Sequence, residues 1–452
     1  MNLRRRPWVV SLAVVCLAVP SLPGIPLIRH VAAAAPPASS GDTASSGDRA
    51  RRAAVERTTS RAKPFAPEKF LRAFRGNRED LRHKVLDDAE RMYLAEPQLA
   101  PTLWQVIEPA LKSSPAPDSL ARAVRLYGRL DDPEAASRLV SLLSAADPRL
   151  VQTAIDILAE RRPAAALETL VGLTEHPTYK ARYGFRHALI SAVARFNEPA
   201  SVGFLVKAIG STDGQLKYEI SRELSRLTGE NFGGKSSDWR KWWEAHRDGF
   251  RVAAPASVAN VGVKAGAAPV PWDVDLPQFF GTLIYAKRIV FVIDKSKSML
   301  STVDGVTRLD NAEKELEAAI RKLPDDAWFN IIAYNDFEQP YAGKLVPATP
   351  AQKSAAVQFI YSLVAERQTD IYDTLSDALI VDSNIEAILF LSDGEPNVGR
   401  IVDCPTILQK ITQQNAQQRT SINTIGIDAQ GIGGDFLKKL AADNFGEYRS
   451  IR

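Results

Sequence analysis

Cysteine is nearly absent from this sequence. Only Cys16 and Cys404 occur among its 452 residues, and Cys16 falls in an N-terminal stretch with the composition of an export signal. Removing that stretch leaves Cys404 alone. The mature chain then cannot form an intrachain disulfide, so its stability must come from packing. A zinc site built from several cysteines is excluded for the same reason.

Histidine is scarce and unevenly placed. The five histidines are His30, His83, His176, His187 and His246, and none lies beyond residue 281. The C-terminal part of the chain therefore lacks the usual base that activates a serine nucleophile. The sequence also contains no His-Glu-x-x-His pattern of the kind found in zinc hydrolases. We predict that the protein is not an enzyme, and we keep a metal-dependent hydrolase as one alternative.

The chain also lacks a strong excess of charge of either sign. Its formal net charge is +4, which is too small to indicate a nucleic acid partner. Hydrophobic residues make up 45% and charged residues 24% of the sequence, which is typical of soluble globular proteins. A chain of this length predicts two or three domains.

The N-terminus predicts export. Three arginines precede an apolar stretch over residues 8–27, and small residues at 31–35 offer a cleavage site. We predict a signal peptide over residues 1–35 of an exported bacterial protein, placed in the periplasm, the cell envelope or outside the cell. An uncleaved membrane anchor is the alternative, although Pro20, Pro23 and Pro26 interrupt the stretch. Residues 36–64, rich in Ala, Pro, Ser and Gly, predict a disordered linker.

Residues 65–250 predict an all-helical domain with internal repeats. Three similar segments cover residues 132–143, 162–173 and 198–209, and each has a proline (Pro133, Pro163 and Pro199) where it can open a helix. A further amphipathic helix precedes each segment. Helix pairs at this period resemble HEAT repeats. A single helical bundle without repeats is the alternative.

Two features near the end of this domain suggest functions that we do not adopt. Residues 229–236 match the phosphate-loop pattern Gly-x4-Gly-Lys-Ser, but a helix rather than a strand precedes them. We predict a turn between helices, with Asp238 capping the second one. That helix carries Trp239, Trp242 and Trp243 on one face, which is typical of a core or docking face, with a carbohydrate platform as the alternative. Residues 251–281 predict a linker.

The most informative motif follows a buried strand. Five apolar residues at 289–293 lead directly into Asp294, Ser296 and Ser298 in the pattern Asp-x-Ser-x-Ser. One carboxylate and two hydroxyls at the carboxyl end of a strand are hard oxygen donors. Such donors bind Mg²⁺ or Mn²⁺ rather than a soft metal.

Two later residues complete a known pattern. Thr369 lies just before a predicted helix, and Asp393 ends a second apolar run at 387–391. Together with Asp294, Ser296 and Ser298, they resemble the metal-ion-dependent adhesion site of the von Willebrand factor type A family. The resemblance runs from Lys287 to the C-terminus and predicts a domain over residues 282–452.

The order of elements supports the same fold. Helices and strands alternate, which predicts an α/β domain with a doubly wound, mostly parallel sheet and a ligand site at the carboxyl ends of its strands. The predicted helices cover residues 310–323, 350–365, 373–381, 404–414 and 435–442. The predicted strands cover residues 289–293, 328–334, 387–391, 421–427 and 447–451.

The resemblance implies a role for each site residue. Ser296, Ser298 and Thr369 would bind the cation through hydroxyl oxygens, while Asp294 and Asp393 would act mainly through water or by holding the hydroxyls. We predict that Mg²⁺ or Mn²⁺ bound there captures a protein partner through an exposed carboxylate, and that the helical repeats bind a second protein. The alternative is a structural or assembly component with a degenerate site. Many relatives have glycine where Lys297 stands, so a positive φ there would strain this chain.

Overall fold

The structure is a computed structural model that describes residues 64–114, 116–252 and 275–451. The predicted signal peptide, nearly all of the linker 36–64 and most of the linker 251–281 lie outside the described residues. Within the part that is described, no helix combines the length and apolar character needed to cross a membrane.

Helices alone make up the N-terminal part of the described chain. They are α1 (Pro67–Arg75), α2 (Glu79–Met92), α3 (Leu99–Ile107), α4 (Asp118–Gly128), α5 (Ala135–Ser141), α6 (Pro148–Arg161), α7 (Ala166–Gly172), α8 (Pro177–Ala181), α9 (Tyr183–Arg195), α10 (Pro199–Ile209), α11 (Gly214–Thr228) and α12 (Ser236–His246). Helices that follow each other along the chain pack against each other in pairs, as expected for short connections.

The pairs stack into two layers. Helices α2, α4, α6, α9 and α11 pack side by side in an inner layer, and α3, α5, α7 and α10 cover them from outside. Helix α6 lies in the middle of the inner layer, and nearly every residue from Leu150 to Ala159 is buried. A helix buried on most of its circumference needs neighbours on both sides, which the stacked pairs and the sheet region provide. The predicted repeat architecture is confirmed.

The prediction that a proline opens a helix is right for one of the three similar segments. Pro199 is the first residue of α10. Pro133 and Pro163 stand two or three residues before α5 and α7, in turns whose hydrogen bonds run from Ala135 N to Asp132 O and from Ala166 N to Pro163 O. The fixed φ of proline therefore shapes the turn before each of these helices, and proline is not the first helical residue.

The segment that matches a phosphate loop is a turn between α11 and α12, as predicted. Gly229 closes α11 in the left-handed conformation that glycine adopts without strain. The predicted capping role of Asp238 is wrong, because the α-helix begins at Ser236 and Asp238 is its third residue. Trp239 is fully buried and donates a hydrogen bond to Gly233 O (2.8 Å). Trp239 is therefore a core residue.

A mixed sheet organises the C-terminal part. Its strands are β3 (Arg288–Asp294), β6 (Trp328–Tyr334), β7 (Glu338–Pro340), β8 (Val346–Pro347), β9 (Ala387–Ser392), β10 (Ser421–Ile427) and β11 (Tyr448–Ile451). Their order is β11-β10-β9-β3-β6-β7, with β8 also paired to β6. Strands β3, β6, β9, β10 and β11 are parallel, and β7 and β8 run antiparallel to β6.

Helices cover both faces of this sheet. They are α13 (Arg308–Lys322), α14 (Pro350–Ile360), α15 (Ile371–Ile380), α16 (Cys404–Asn415) and α17 (Gly431–Asp443). Alternate residues of β3 point to opposite faces: Phe291 packs in the core that includes α13 and α14, and Val292 in the core that includes α15, α16 and α17. The predicted doubly wound sheet is confirmed.

Two short hairpins and one shortened helix differ from the prediction. The hairpins are β1 (Gln278–Phe279) with β2 (Thr282–Leu283), and β4 (Thr302–Val303) with β5 (Val306–Thr307). Helix α14 ends at Ile360, five residues earlier than predicted. The following chain forms backbone hydrogen bonds from Glu366 N to Lys295 O and from Lys297 N to Arg367 O, which a continuing helix could not make.

The helical layers cover the amino ends of the parallel strands. The side chain of Asn384, before β9, accepts a hydrogen bond from Tyr183 N (2.8 Å). Gln152 in α6 donates to the carbonyl of Gln417, before β10 (3.0 Å). A Cβ at Gly184 would lie 2.1 Å from that same carbonyl oxygen, so only glycine allows this approach. The carboxyl ends of the strands lie at the opposite edge of the sheet.

Candidate metal centre

Asp294 ends β3 and is completely buried. One carboxylate oxygen accepts a hydrogen bond from Ser296 N (2.8 Å), and the other accepts from Ser392 Oγ (2.9 Å) and Tyr334 Oη (3.2 Å). Burial raises the pKa of Asp294 to about 6, and the negative charge of Asp393 adds to this. Asp294 therefore fixes the start of the loop that carries the two serines.

The two serines and Asp393 form a chain of hydrogen-bonded oxygens. Ser296 Oγ lies 2.9 Å from Ser298 Oγ, and Ser298 Oγ donates to Asp393 Oδ1 at 2.8 Å. Neighbouring ligands of an octahedral Mg²⁺ ion, each about 2.1 Å from the metal, lie about 3.0 Å apart. These three oxygens thus already have the spacing that one hard cation requires. Ser298 is exposed, so a ligand can reach this group from solvent.

Thr369 lies in the segment next to these residues. Its backbone N–H donates to Asn397 Oδ1 (2.8 Å), and its carbonyl accepts from Asn397 N (3.0 Å), which joins it to the loop that follows Asp393. Two residues earlier, Arg367 O accepts from Lys297 N in the serine loop. The structure therefore brings all five predicted residues to adjoining segments at one edge of the sheet, and direct hydrogen bonds join four of them, Asp294, Ser296, Ser298 and Asp393.

The sequence analysis missed Arg308, the first residue of α13. Its guanidinium donates to Asp393 Oδ2 (2.7 Å) and to Asp428 Oδ2 (3.0 Å). Asp428 follows β10 and adopts a positive φ of 50°. A positive charge at the start of a helix is disfavoured by the helix dipole. An arginine in this unfavourable position indicates that an acidic side chain neutralises it, and this could have been inferred from the sequence.

Asp370 and Gly399 were missed as well. Asp370 caps α15 by accepting from Asp373 N (3.1 Å), and burial raises its pKa to about 7. A Cβ at Gly399, which has a φ of +105°, would lie 2.2 Å from the Asp370 carboxylate. Glycine at 399 therefore lets the loop after β9 pass over Asp370, beside Thr369. The requirement for glycine at 399 follows only from the contact between the loop after β9 and Asp370, which are distant in sequence.

Positive charge lies close to the serine loop. Lys295 Nζ and the Arg367 guanidinium lie 5.3 Å and 5.0 Å from the ring centre of Phe337, and burial lowers the pKa of Lys295. Lys297 is exposed and begins a 3₁₀ turn, Lys297–Leu300, without a positive φ. The loop thus accommodates lysine at this position without the strain considered above.

The donor set suits a hard cation. In the described portion of the chain, no three histidine, cysteine, aspartate or glutamate side chains converge as a metal cluster. Here two carboxylates, Asp294 and Asp393, accompany hydroxyl oxygens. Magnesium accepts such oxygen donors together with water. The residues present therefore fit the cation that the sequence predicts, while Arg308 already neutralises part of the charge on Asp393.

Two family models match the chain. Residues 289–395 match the von Willebrand factor type A domain, and residues 105–189 match HEAT repeats. Similar curated proteins include inter-alpha-trypsin inhibitor heavy chain H2 of Sus scrofa (27% identical, covering 36% of this chain and 18% of the relative) and heavy chain H4 of Homo sapiens (30% identical, covering 38% and 19%). The chain spans less than a fifth of the length of these relatives.

Solved structures that are similar to this chain cover a similar share of it. A von Willebrand factor type A protein from Catenulispora acidiphila is 23% identical, with a TM-score of 0.32, and covers 38% of this chain and 40% of that one. The proximal thread matrix protein 1 of the mussel byssus, with a zinc-occupied metal-ion-dependent adhesion site, is 14% identical, with a TM-score of 0.29, and covers 36% and 43%. The family matches, together with the fold, show that the chain carries HEAT repeats followed by a von Willebrand factor type A domain.

Proposed function

We propose that this protein is an exported binding protein that captures a protein partner through a divalent cation held by Asp294, Ser296, Ser298, Thr369 and Asp393. The observation that carries the proposal is the row of oxygens from Ser296 through Ser298 to Asp393, spaced at 2.9 Å and 2.8 Å. The bound cation, Mg²⁺ or Mn²⁺, would supply an electrophilic position for a carboxylate of the partner.

The protein's own residues prepare this position. Ser298 is exposed at the rim, while Asp294 and Ser296 are buried beneath it. The hydrogen bonds of Asp294 to Tyr334 and Ser392 hold the loop from below. A loop fixed in this way loses little conformational freedom when a ligand binds. We assign no catalytic role to these residues, because no histidine lies beyond residue 281 to activate Ser296 or Ser298 as a nucleophile.

The location of the site supports a role in binding partners outside the helical domain. The helical layers cover the amino ends of the strands, and the candidate site lies at the carboxyl ends. A partner can therefore approach the site without displacing the helices. We assign the working location to the periplasm, the cell envelope or the exterior on the basis of the N-terminal sequence.

Calorimetric titration with MgCl₂ and MnCl₂ tests the metal site directly. The wild-type protein should bind one cation, and Ser298→Ala and Thr369→Val should each weaken binding about tenfold, which corresponds to about 1.4 kcal/mol. Thr302 is an exposed threonine of the nearby strand β4. The variant Thr302→Val is the matched control and should bind the cation as the wild type does. Equal binding by all four proteins would place the cation elsewhere.

Arg308 supports a second candidate function. Its ion pair with Asp393 could stand in for a cation, and the protein would then be a structural component with a degenerate site. In that case no protein in the titration series would bind Mg²⁺ or Mn²⁺. Capture of cell-envelope proteins by the immobilised wild-type chain, with Mg²⁺ and with EDTA, extends the test: the first function requires capture that EDTA and Ser298→Ala both abolish.

A further inference from the structure

A large cleft separates the inner helices from the sheet domain. It encloses about 1180 Å³ and is lined by α2, α4, α6 and α9 on one side and by α16, α17 and the residues that follow them on the other. Its apolar wall includes Ile157, Leu408 and Phe445. None of the five candidate metal-site residues lines the cleft, so it is separate from the candidate metal centre.

Most carboxylates in the cleft are already paired. Arg122 donates to Asp87 and to Glu90 (2.8 Å to Glu90). On the sheet side, Lys439 pairs with Asp443 (2.8 Å). Because these carboxylates already form ion pairs, they do not neutralise the other positively charged side chains of the cleft.

Three arginines of the cleft remain without such pairs. Arg125, Arg129 and Arg195 line the cleft and are exposed. Across residues 64–114, 116–252 and 275–451, none of the three guanidinium groups donates a hydrogen bond or forms an ion pair. Glu160 is the exposed carboxylate of the cleft that likewise has no ion pair in these ranges. Positive charge therefore exceeds negative charge among the unpaired groups.

The surroundings of Asp156 show the same excess of positive charge. Its carboxylate forms an ion pair with Arg419. Burial raises the pKa of Asp156, and the charges of Arg419, Arg125 and Arg195 all oppose that rise. Three guanidinium groups thus act on one carboxylate that is already paired. An additional anion in the cleft would be attracted by the two arginines that Asp156 does not pair with.

We propose that this cleft is a second binding site, which accepts an acidic peptide segment of a protein partner. Arginine presents a planar fork of donors that matches a carboxylate. Arg125 and Arg195 stand on α4 and α9, which are separated by α6. At a helix spacing of 8–10 Å, the axes of these two helices lie roughly 16–20 Å apart. An extended segment of about six residues spans that distance.

Two other occupants fit less well. A nucleic acid has no apolar side chains to place against the wall formed by Ile157, Leu408 and Phe445. The N-terminal residues 49–63 of this chain carry more arginine and lysine than aspartate and glutamate, so they do not complement the unpaired arginines. An acidic peptide with apolar side chains on one face matches both the arginines and the wall formed by Ile157, Leu408 and Phe445.

Fluorescence anisotropy with the full-length protein tests this proposal. The probe is fluorescein-labelled decaglutamate at low ionic strength, with decaglutamine, tetraglutamate and a ten-nucleotide single-stranded DNA for comparison. Decaglutamate should bind, tetraglutamate should bind at least fivefold more weakly because it cannot reach both ends, and decaglutamine should not bind. Binding should fall as salt increases.

A double charge-reversal variant of the cleft and a matched double variant outside it locate the site. Arg125→Glu/Arg195→Glu should weaken decaglutamate binding at least tenfold. Arg72→Glu/Arg240→Glu changes two exposed helical arginines that do not line the cleft, and it should change binding less than twofold. Arg125→Gln/Arg195→Gln, which removes charge without reversing it, provides the same comparison if the first variant unfolds in a thermal melt.

Several outcomes would overturn the proposal. They are an absence of wild-type binding to decaglutamate, an equal loss in both double variants, and tighter binding of DNA than of decaglutamate through the same arginines. EDTA should leave decaglutamate binding unchanged, and a loss with EDTA would place the peptide at the metal centre instead. The inference does not depend on metal binding, so either proposal can fail while the other stands.

Discussion

The two edges of the central sheet use their polar residues differently. At the amino ends of the strands, Glu386 is buried between α11 and β3, where it accepts hydrogen bonds from Gln215 N and Lys287 N, both at 3.0 Å. At the carboxyl ends, Ser298 is exposed and its hydroxyl faces Asp393. Polar groups at the first edge join two domains, and those at the second are available to a ligand. We therefore expect substitutions at the first edge to change stability and those at the second to change binding.

The largest effect is expected at Gly184, in the covered edge. Gly184→Ala places a methyl group 2.1 Å from the carbonyl oxygen of Gln417, and this overpacking should destabilise the protein by about 3 kcal/mol. Gly172→Ala is the matched control, because a Cβ there meets no atom within 4 Å. Urea unfolding followed by tryptophan fluorescence measures both. Equal stability of the two variants would contradict the tight contact between the domains.

Glu386 should make that edge sensitive to pH. Burial raises its pKa from 4.5 to about 7, and the hydrogen bonds from Gln215 and Lys287 only partly offset this. Between these values the folded protein retains a proton that the unfolded chain has lost. Its stability should therefore fall by about 2.5 kcal/mol as the pH rises from 4.5 to 7, and this contribution should then level off.

The variant Glu386→Gln isolates this contribution. It should remove the fall in stability over that range, while the titration of other groups remains the same in both proteins. Urea midpoints measured every half pH unit give the difference between the two proteins. A difference that stays constant with pH would show that Glu386 has an ordinary pKa in the folded state.

Arg308 should affect binding more than folding, at the open edge. Arg308→Met removes a positive charge from Asp393 and Asp428 and should raise the affinity for Mg²⁺ about fivefold, or about 1 kcal/mol. Arg321→Met, on the solvent side of the same helix α13, should leave the affinity unchanged. Calorimetric titration compares the two. Weaker binding by Arg308→Met would instead make Arg308 a residue that positions Asp393 for the cation.

Lys297 should have the smallest effect. Its side chain is exposed and its backbone is unstrained, so Lys297→Gly should change the Mg²⁺ affinity less than threefold. The melting temperature should fall slightly, because glycine loses more conformational entropy on folding. A loss of affinity greater than tenfold would mean that the 3₁₀ turn from Lys297 to Leu300 depends on this side chain.

The sequence by itself determined both folds and the candidate ligand residues. Strands β6 and β10 have their predicted bounds, and each ends directly before a polar residue, Asn335 or Asp428. The three repeated segments indicated stacked helix pairs, because each segment has one apolar face. Asp294, Ser296 and Ser298 were identifiable because their spacing along one loop already brings their oxygens together. The domain boundaries 65–250 and 282–452 stay predictions.

Only the tertiary structure decided which distant groups meet. Arg308 and Asp393 are 85 positions apart, and Gln152 and Gln417 are separated by 265. No local pattern specifies such pairs, since they depend on how loops from different strands converge and on how the helical layers pack against the sheet. Gly184 and Glu386 look unremarkable in sequence for the same reason. Their roles arise because packing brings a backbone carbonyl to one and removes water from the other.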